Sequence, residues 1–325
     1  MQSRFSTVRV VVLMLMVAVS ASACGKYSIG NLRALMAFKE ANGLYSKADF
    51  AKAAESYEEA IQHNPDMGIV YFFLANSYDN LYRPGRQGEP DNDAFLHQAV
   101  ENYNKAIEVI KEDEPSGAEI RKLSYEYLIA AYGPDKLNDF EKAVPIGEQL
   151  IQMEPNEPGN YQTLGKLYED QGRYEEAEQY FLKGAEVRPN DPLGYQILAG
   201  YYNRQGDFEK TMDAWKKRAE VEPNNPEAHH TIAVWYQEKS MKDLTLSAST
   251  RRDYIEQGIA AEDAALALHG DYIEALTFKN ILLRQKANVI RDRREQEALI
   301  EEADRLRNRA IELQKQQASA GGGGE

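Results

Sequence analysis

One eight-residue phrase, Tyr-x-x-Leu-x-x-x-Tyr, recurs along the 325-residue chain and constrains its fold more than any other feature. It stands at Tyr71, Leu74, Tyr78; at Tyr125, Leu128, Tyr132; at Tyr161, Leu164, Tyr168; and at Tyr195, Leu198, Tyr202. A fifth copy reads His229, Ile232, Tyr236. Large groups at i, i+3 and i+7 lie along one stripe of an α-helix, so each copy predicts a helix with one face to bury. A small residue follows the leucine position in most copies, as Ala75, Gly165, Ala199 and Ala233.

Behind each copy come a turn and a second amphipathic stretch that stops near a proline. The clearest runs through Gln171-Gly172-Arg173-Tyr174, then Glu175 to Val187, then Pro189; its neighbour runs through Gln205-Gly206-Asp207-Phe208, then Glu209 to Val221, then Pro223. Glycine supplies the turn and proline ends the second helix, so each unit is a helix-turn-helix hairpin. From Ala37 to Tyr71, Tyr125, Tyr161, Tyr195 and His229, the intervals are 34, 54, 36, 34 and 34 residues.

These residues resemble the tetratricopeptide repeat, whose period is about 34 residues. Small residues at the helix contacts (Ala53, Ala60, Ala99, Ala106, Ala143, Ala177 and Gly184) and closing prolines (Pro65, Pro155, Pro189 and Pro223) fit the same pattern. The resemblance covers about residues 30 to 317, with a degenerate seventh unit from about Tyr272 that keeps Leu276 and Leu283. It implies an all-α fold, a right-handed α-solenoid of about seven hairpins over residues 34–290, each burying its face against the next. The tyrosines read as that core.

Two units are too long. Tyr78 to Ala99 spans 21 residues and Tyr236 to Gly258 spans 22, where the pattern has 9. Both insertions, near 79–98 and 239–252, fall in the turn within the hairpin and so on one edge of the stack, where partners often bind or where growth is merely tolerated. Arg83 to Pro90 reads as loop. Pro145 falls inside a second helix and predicts a kink or soft joint. A charged helix from about Arg284 to Gln317, with nine basic and seven acidic residues, reads as a cap over 291–317, with 318–325 as a mobile tail.

The start of the chain reads as an address. Arg4 and Arg9 precede an apolar run from Val10 to Val19, followed by Ser20-Ala21-Ser22-Ala23-Cys24-Gly25. This is the pattern of a secretory signal peptide over residues 1–23, too short to span a bilayer. Cys24, the chain's single cysteine, resembles the acylated cysteine of bacterial lipoproteins, with residues 24–33 as lipidated terminus and linker. Ordinary cleavage after Ala23 gives the same cut with a free thiol. Gly25 resembles the following residue of lipoproteins sent to the outer membrane, facing the periplasm.

Composition narrows the function. A net charge of −14, or −16 once Arg4 and Arg9 are removed with the leader, opposes nucleic acid as a partner. One cysteine and five histidines leave little for a metal site, and no Gly-rich phosphate loop or nucleophile with its base stands out, so the reading is non-enzymatic with no cofactor. The resemblance implies that first helices line a concave groove for peptides or envelope proteins. Its candidates are Phe72, Asn76, Gln162, Lys166, Gln196, Asn203, Arg204, His230 and Gln237. The leading expectation is a membrane-anchored interaction scaffold of the bacterial envelope. The alternative is a module that binds a non-protein ligand such as cell-wall glycan through exposed tyrosines.

Overall fold

The computed structural model describes residues 29–111 and 116–321, and these are all-α. The leader, Cys24 and residues 322–325 lie outside the described residues. Fourteen α-helices are present among the described residues: α1 Ile29–Tyr45, α2 Phe50–His63, α3 Gly68–Leu81, α4 Pro90–Val109, α5 Gly117–Tyr132, α6 Phe140–Met153, α7 Pro158–Asp170, α8 Tyr174–Glu186, α9 Pro192–Arg204, α10 Phe208–Val221, α11 Pro226–Lys242, α12 Ala248–Leu268, α13 Ile273–Val289 and α14 Arg293–Gly321. Taken two by two in chain order they number seven hairpins, and α1 packs on α2, α3 on α4, α5 on α6, α9 on α10, α11 on α12 and α13 on α14. None is long and apolar enough to cross a membrane.

The chain divides into two compact units, one holding residues 1–155 and 166–172, the other 156–165 and 173–325. In the first unit α1 to α6 pack in succession, each of the first five on the next, and α3 also touches α5. The second unit repeats the arrangement: α8 to α14 pack in succession, and α11 touches α13. The first helices of the second and third hairpins, and those of the sixth and seventh, thus lie side by side, as the repeat requires.

The core forms where the phrase places it. Leu74, Leu128, Leu164, Leu198 and Ile232 are buried, as are Tyr71, Tyr78, Tyr132, Tyr161, Tyr202 and Tyr236. Tyr125, Tyr168 and Tyr195 are half-buried. Two of the buried ladder tyrosines tie neighbouring helices together through their hydroxyls: Tyr78 donates to Glu58 and Tyr202 to Glu178 at 2.8 Å.

The hairpin turns share a local device. Ala48, Asn138, Gly172 and Gly206 adopt positive φ. Behind three of them an aspartate, Asp49, Asp139 or Asp207, caps the second helix by accepting from the amide three residues on. An aromatic follows the cap position: Phe140 packs edge-on against Tyr168, and Phe208 against Tyr236 of the next hairpin.

Both insertions differ in form from simple loops. In the first, Arg83 to Glu89 is loop with one 3-10 turn at Pro84–Arg86, but residues 90–98 are helical and lengthen α4. Asn92, three residues into that helix, accepts from the Arg83 amide at 2.8 Å and donates to the Arg86 carbonyl at 3.1 Å, which pins the loop. In the second, only Asp243–Ser247 is irregular, and the remaining residues extend α11 and α12.

The charged stretch at the end also departs from expectation. Rather than one helix from Arg284, α13 runs to Val289 and α14 starts at Arg293. Asp292 causes the break: its carboxylate accepts from the amides of Arg294 and Glu295 at 2.8 and 3.0 Å, a helix-start signal hidden among charges. Buried Ala303 and Ala310, with the Lys279–Glu302 and Arg284–Asp304 ion pairs, make α14 the second helix of the seventh hairpin. It stays helical to Gly321, into the expected tail.

Candidate functional site

The second unit contains an open cavity of about 350 Å³ at the edge where the second insertion emerges. Asn203 and Gly206 contribute from the end of α9 and its turn, Phe208 and Thr211 from the start of α10, and Trp235, Glu238, Lys239, Lys242 and Asp243 from the far half of α11. The insertion creates the wall. It lengthens α11 to 17 residues, against 13 in α9, so that Lys239 to Lys242 project past the hairpin turn. Arg251 of α12 holds that extra turn in place by donating to the carbonyls of Ser240 and, at 2.8 Å, Asp243.

The floor is aromatic and the rim is charged with both signs. Trp235 stacks on Trp215 with centroids 6.4 Å apart, and the Lys239 ammonium sits 5.2 Å above the Phe208 ring. Lys239 pairs with Asp243 at 3.0 Å, and Lys242 pairs with Glu238. Bonds from Thr245, and then from Lys239, hold the Asp243 carboxyl down at about 2. Such a cleft can seat an apolar or aromatic side chain while its rim meets the polar backbone around it. Among the described residues no group of three or more His, Cys, Asp or Glu could hold a metal ion.

The groove candidates occupy diverse environments. Phe72, Asn76 and Gln237 are buried rather than open to a ligand. Phe72 packs among Phe73, Tyr103 and Tyr127, and Asn76 accepts from Tyr45 and donates to the Tyr103 hydroxyl at 3.3 Å. The physical reason is crowding: aromatic side chains from three helices close over this part of α3. His230, 13% exposed, lies against Glu262, and its ring meets Tyr272 and Phe278 edge-on. Gln162, Lys166, Asn203 and Arg204 are exposed and Gln196 half-buried. Lys166 pairs with Asp170, while Arg204 lies 5.9 Å over the Phe181 ring. Phe72, Asn76 and Lys166 fall in the first unit, the others in the second.

Of these candidates only Asn203 lines the cavity. Sequence reasoning missed Phe208, Trp235 and the Lys239–Asp243 rim. The over-long interval from Tyr236 to Gly258 was the signal that pointed to this edge.

Family comparisons agree with this architecture. A tetratricopeptide-repeat model matches residues 136–200, and a second one matches residues 38–85. The chain carries tetratricopeptide repeats. Its fold is therefore an all-α array of tetratricopeptide hairpins. Comparison with curated protein sequences gives no match. Solved structures similar to it include the C-terminal part of a TPR repeat-containing protein from Cytophaga hutchinsonii, at 18% identity and TM-score 0.48, covering 85% of this chain and 98% of that one. A tetratricopeptide repeat protein from Parabacteroides merdae aligns at 14% identity and TM-score 0.42, covering 84% and 99%. YrrB, described as a TPR protein with an unusual peptide-binding site, aligns at 18% or less, namely 17% identity with TM-score 0.38, covering 66% and 96%.

Proposed function

We propose that the protein is a non-enzymatic interaction scaffold that binds a segment of a partner protein in the cavity between the α9–α10 turn and α11. The observation that carries this reading is the cavity itself: an aromatic floor formed by Phe208 and Trp235 under a rim of paired charges, walled by a helical turn that the repeat does not need. Repeats of this kind are in general protein-binding scaffolds, and an insertion that builds a cleft on their edge adds a second recognition surface.

The scaffold is exported and tethered to the bacterial envelope. The support is the leader pattern of residues 1–23 with Cys24 as the acylated first residue of the mature chain, facing the periplasm from the outer membrane. Glycan binding through exposed tyrosines finds less support, because the ladder tyrosines are buried or half-buried.

Tryptophan emission offers a direct test, since the chain has two tryptophans and both stack beside the cavity. Titration with peptides tiled from envelope proteins is expected to give a saturable change for one class of aromatic-bearing sequence. Asn203→Phe, which narrows the mouth at an exposed position, is expected to weaken that binding at least tenfold. Equal binding by the variant would contradict the site. Intact mass and membrane fractionation of wild type and Cys24→Ser test the anchor separately.

A further inference from the structure

Helix α1 turns an apolar face away from the protein. Ala34, Ala37 and Ala41 are buried, while Ile29, Leu32, Leu35 and Met36 are 73%, 61%, 53% and 65% exposed. Three of these four, at i, i+3 and i+7, form one stripe, with Leu35 beside it. Exposed Arg33 and Lys39 flank them. The stripe is confined to the start of the helix: further along, the exposed residues are Glu40, Asn42 and Gly43.

Charge follows the same division. No acidic residue occurs before Glu40, and between Cys24 and Glu40 stand Lys26, Arg33 and Lys39. Removing those three cations, together with Arg4 and Arg9, from the net charge of −14 leaves −19 for residues 40–325. The body would be repelled by acidic headgroups, whereas the first turns of α1 combine cations with exposed apolar side chains, the composition of an interfacial helix. Four residues separate Cys24 from Ile29, so the stripe begins at most about 18 Å along the chain from the cysteine.

We propose that the Ile29, Leu32, Leu35 and Met36 face of α1 docks onto the surface of an anionic lipid bilayer, with Arg33 and Lys39 at the headgroups. Its proximity to a membrane rests on the reading of Cys24 as the anchor, and the docking positions the first hairpin against the bilayer from which the lipid emerges. A partner protein seated along the whole of α1 fits less well, because the apolar face ends after the turns nearest Cys24.

The test is flotation of the mature chain, starting at residue 24 and carrying Cys24→Ser so that no acyl group can form. The probe is a vesicle of phosphatidylethanolamine with phosphatidylglycerol. Wild-type α1 is expected to float with these vesicles and to release as salt is raised. The Leu32→Glu, Met36→Glu double variant, at exposed positions, is expected to lose at least tenfold in bound fraction with an unchanged thermal melt; Arg33→Glu, Lys39→Glu is a second variant with the same expectation. Absence of flotation, or flotation that both variants retain, overturns the proposal, as does a stripe-dependent dimer that does not bind vesicles. Flotation together with an unacylated Cys24 in the exported wild type upholds the docking face and overturns only the anchor.

Discussion

His230 Nδ1 lies 2.8 Å from Oε1 of Glu262, a carboxylate with no exposed surface. The pair joins α11 to α12 at the point where Tyr272 and Phe278 of the seventh hairpin close over the imidazole. Glu262 Oε2 has no hydrogen-bond partner. Burial pushes the Glu262 carboxyl up to about 7, against the opposing pull of His230, and nearby Asp263 adds to the rise. A carboxyl whose folded pKa lies above its unfolded value takes up a proton on folding. Its contribution is therefore fully present below the unfolded pKa and lost as pH rises through about 7. We predict that Glu262→Gln leaves stability at pH near 5 little changed and raises it above pH 7 by about 1–3 kcal/mol. Urea midpoints of both proteins across that range check this; a parallel pH dependence would contradict it.

Close helix approach in the second unit depends on absent side chains. A Cβ on Gly194 would lie 2.7 Å from the Ala185 Cα, a backbone atom that cannot swing aside. Gly194→Ala is expected to cost about 1–3 kcal/mol by forcing α9 off α8, despite alanine's better helix propensity. Leu164→Ala, at a position with no exposure, is expected to cost about 2–5 kcal/mol. Chemical denaturation measures both.

Ala48 holds a φ of 58° at a turn where Gly172 and Gly206 hold the equivalent places. The left-handed region is unfavourable for a residue with a Cβ, and glycine removes that strain while losing some chain entropy on folding. Ala48→Gly is thus expected to stabilise the first hairpin by about 0.5–1 kcal/mol, read as a higher denaturation midpoint.

Pro145 lies within α6, which continues from Phe140 to Met153. Lacking an amide hydrogen, Pro145 leaves the Glu141 carbonyl without its helical donor. Amides of residues 140–152 in α6 are expected to exchange with deuterium faster than those of 176–186 in α8.

Arg251 fixes the wall of the cavity through two backbone carbonyls rather than through the cavity itself. Arg251→Ala is expected to free the last turn of α11 and weaken peptide binding several-fold, while the melting temperature shifts by only a few degrees. A variant that binds as wild type would show that the extra turn stands without the clamp.

The fold was legible because a repeat announces itself through period and spacing: the Leu164, Leu198 and Ile232 positions are core in three successive hairpins. The cavity was less legible. Trp235 sits one residue before a ladder tyrosine, and nothing in its spacing separates a cavity wall from a core neighbour. Phe72 and Asn76 illustrate the converse, since helical register placed them towards a groove while side chains from α1, α4 and α5 closed over them. Tertiary crowding decides such positions, and a one-dimensional pattern does not carry it. Asp292 and the α13–α14 break were readable as a cap, but a run of charges concealed it.

Photo-crosslinking in cells tests the central claim most directly. A photoreactive residue placed at Asn203 or at Lys242, on opposite walls of the cavity, is expected to capture the same envelope protein, and Lys217 on α10, outside the lining, is expected to capture none. No adduct at either wall, or an equal adduct at Lys217, would contradict a scaffold that binds its partner in this cleft.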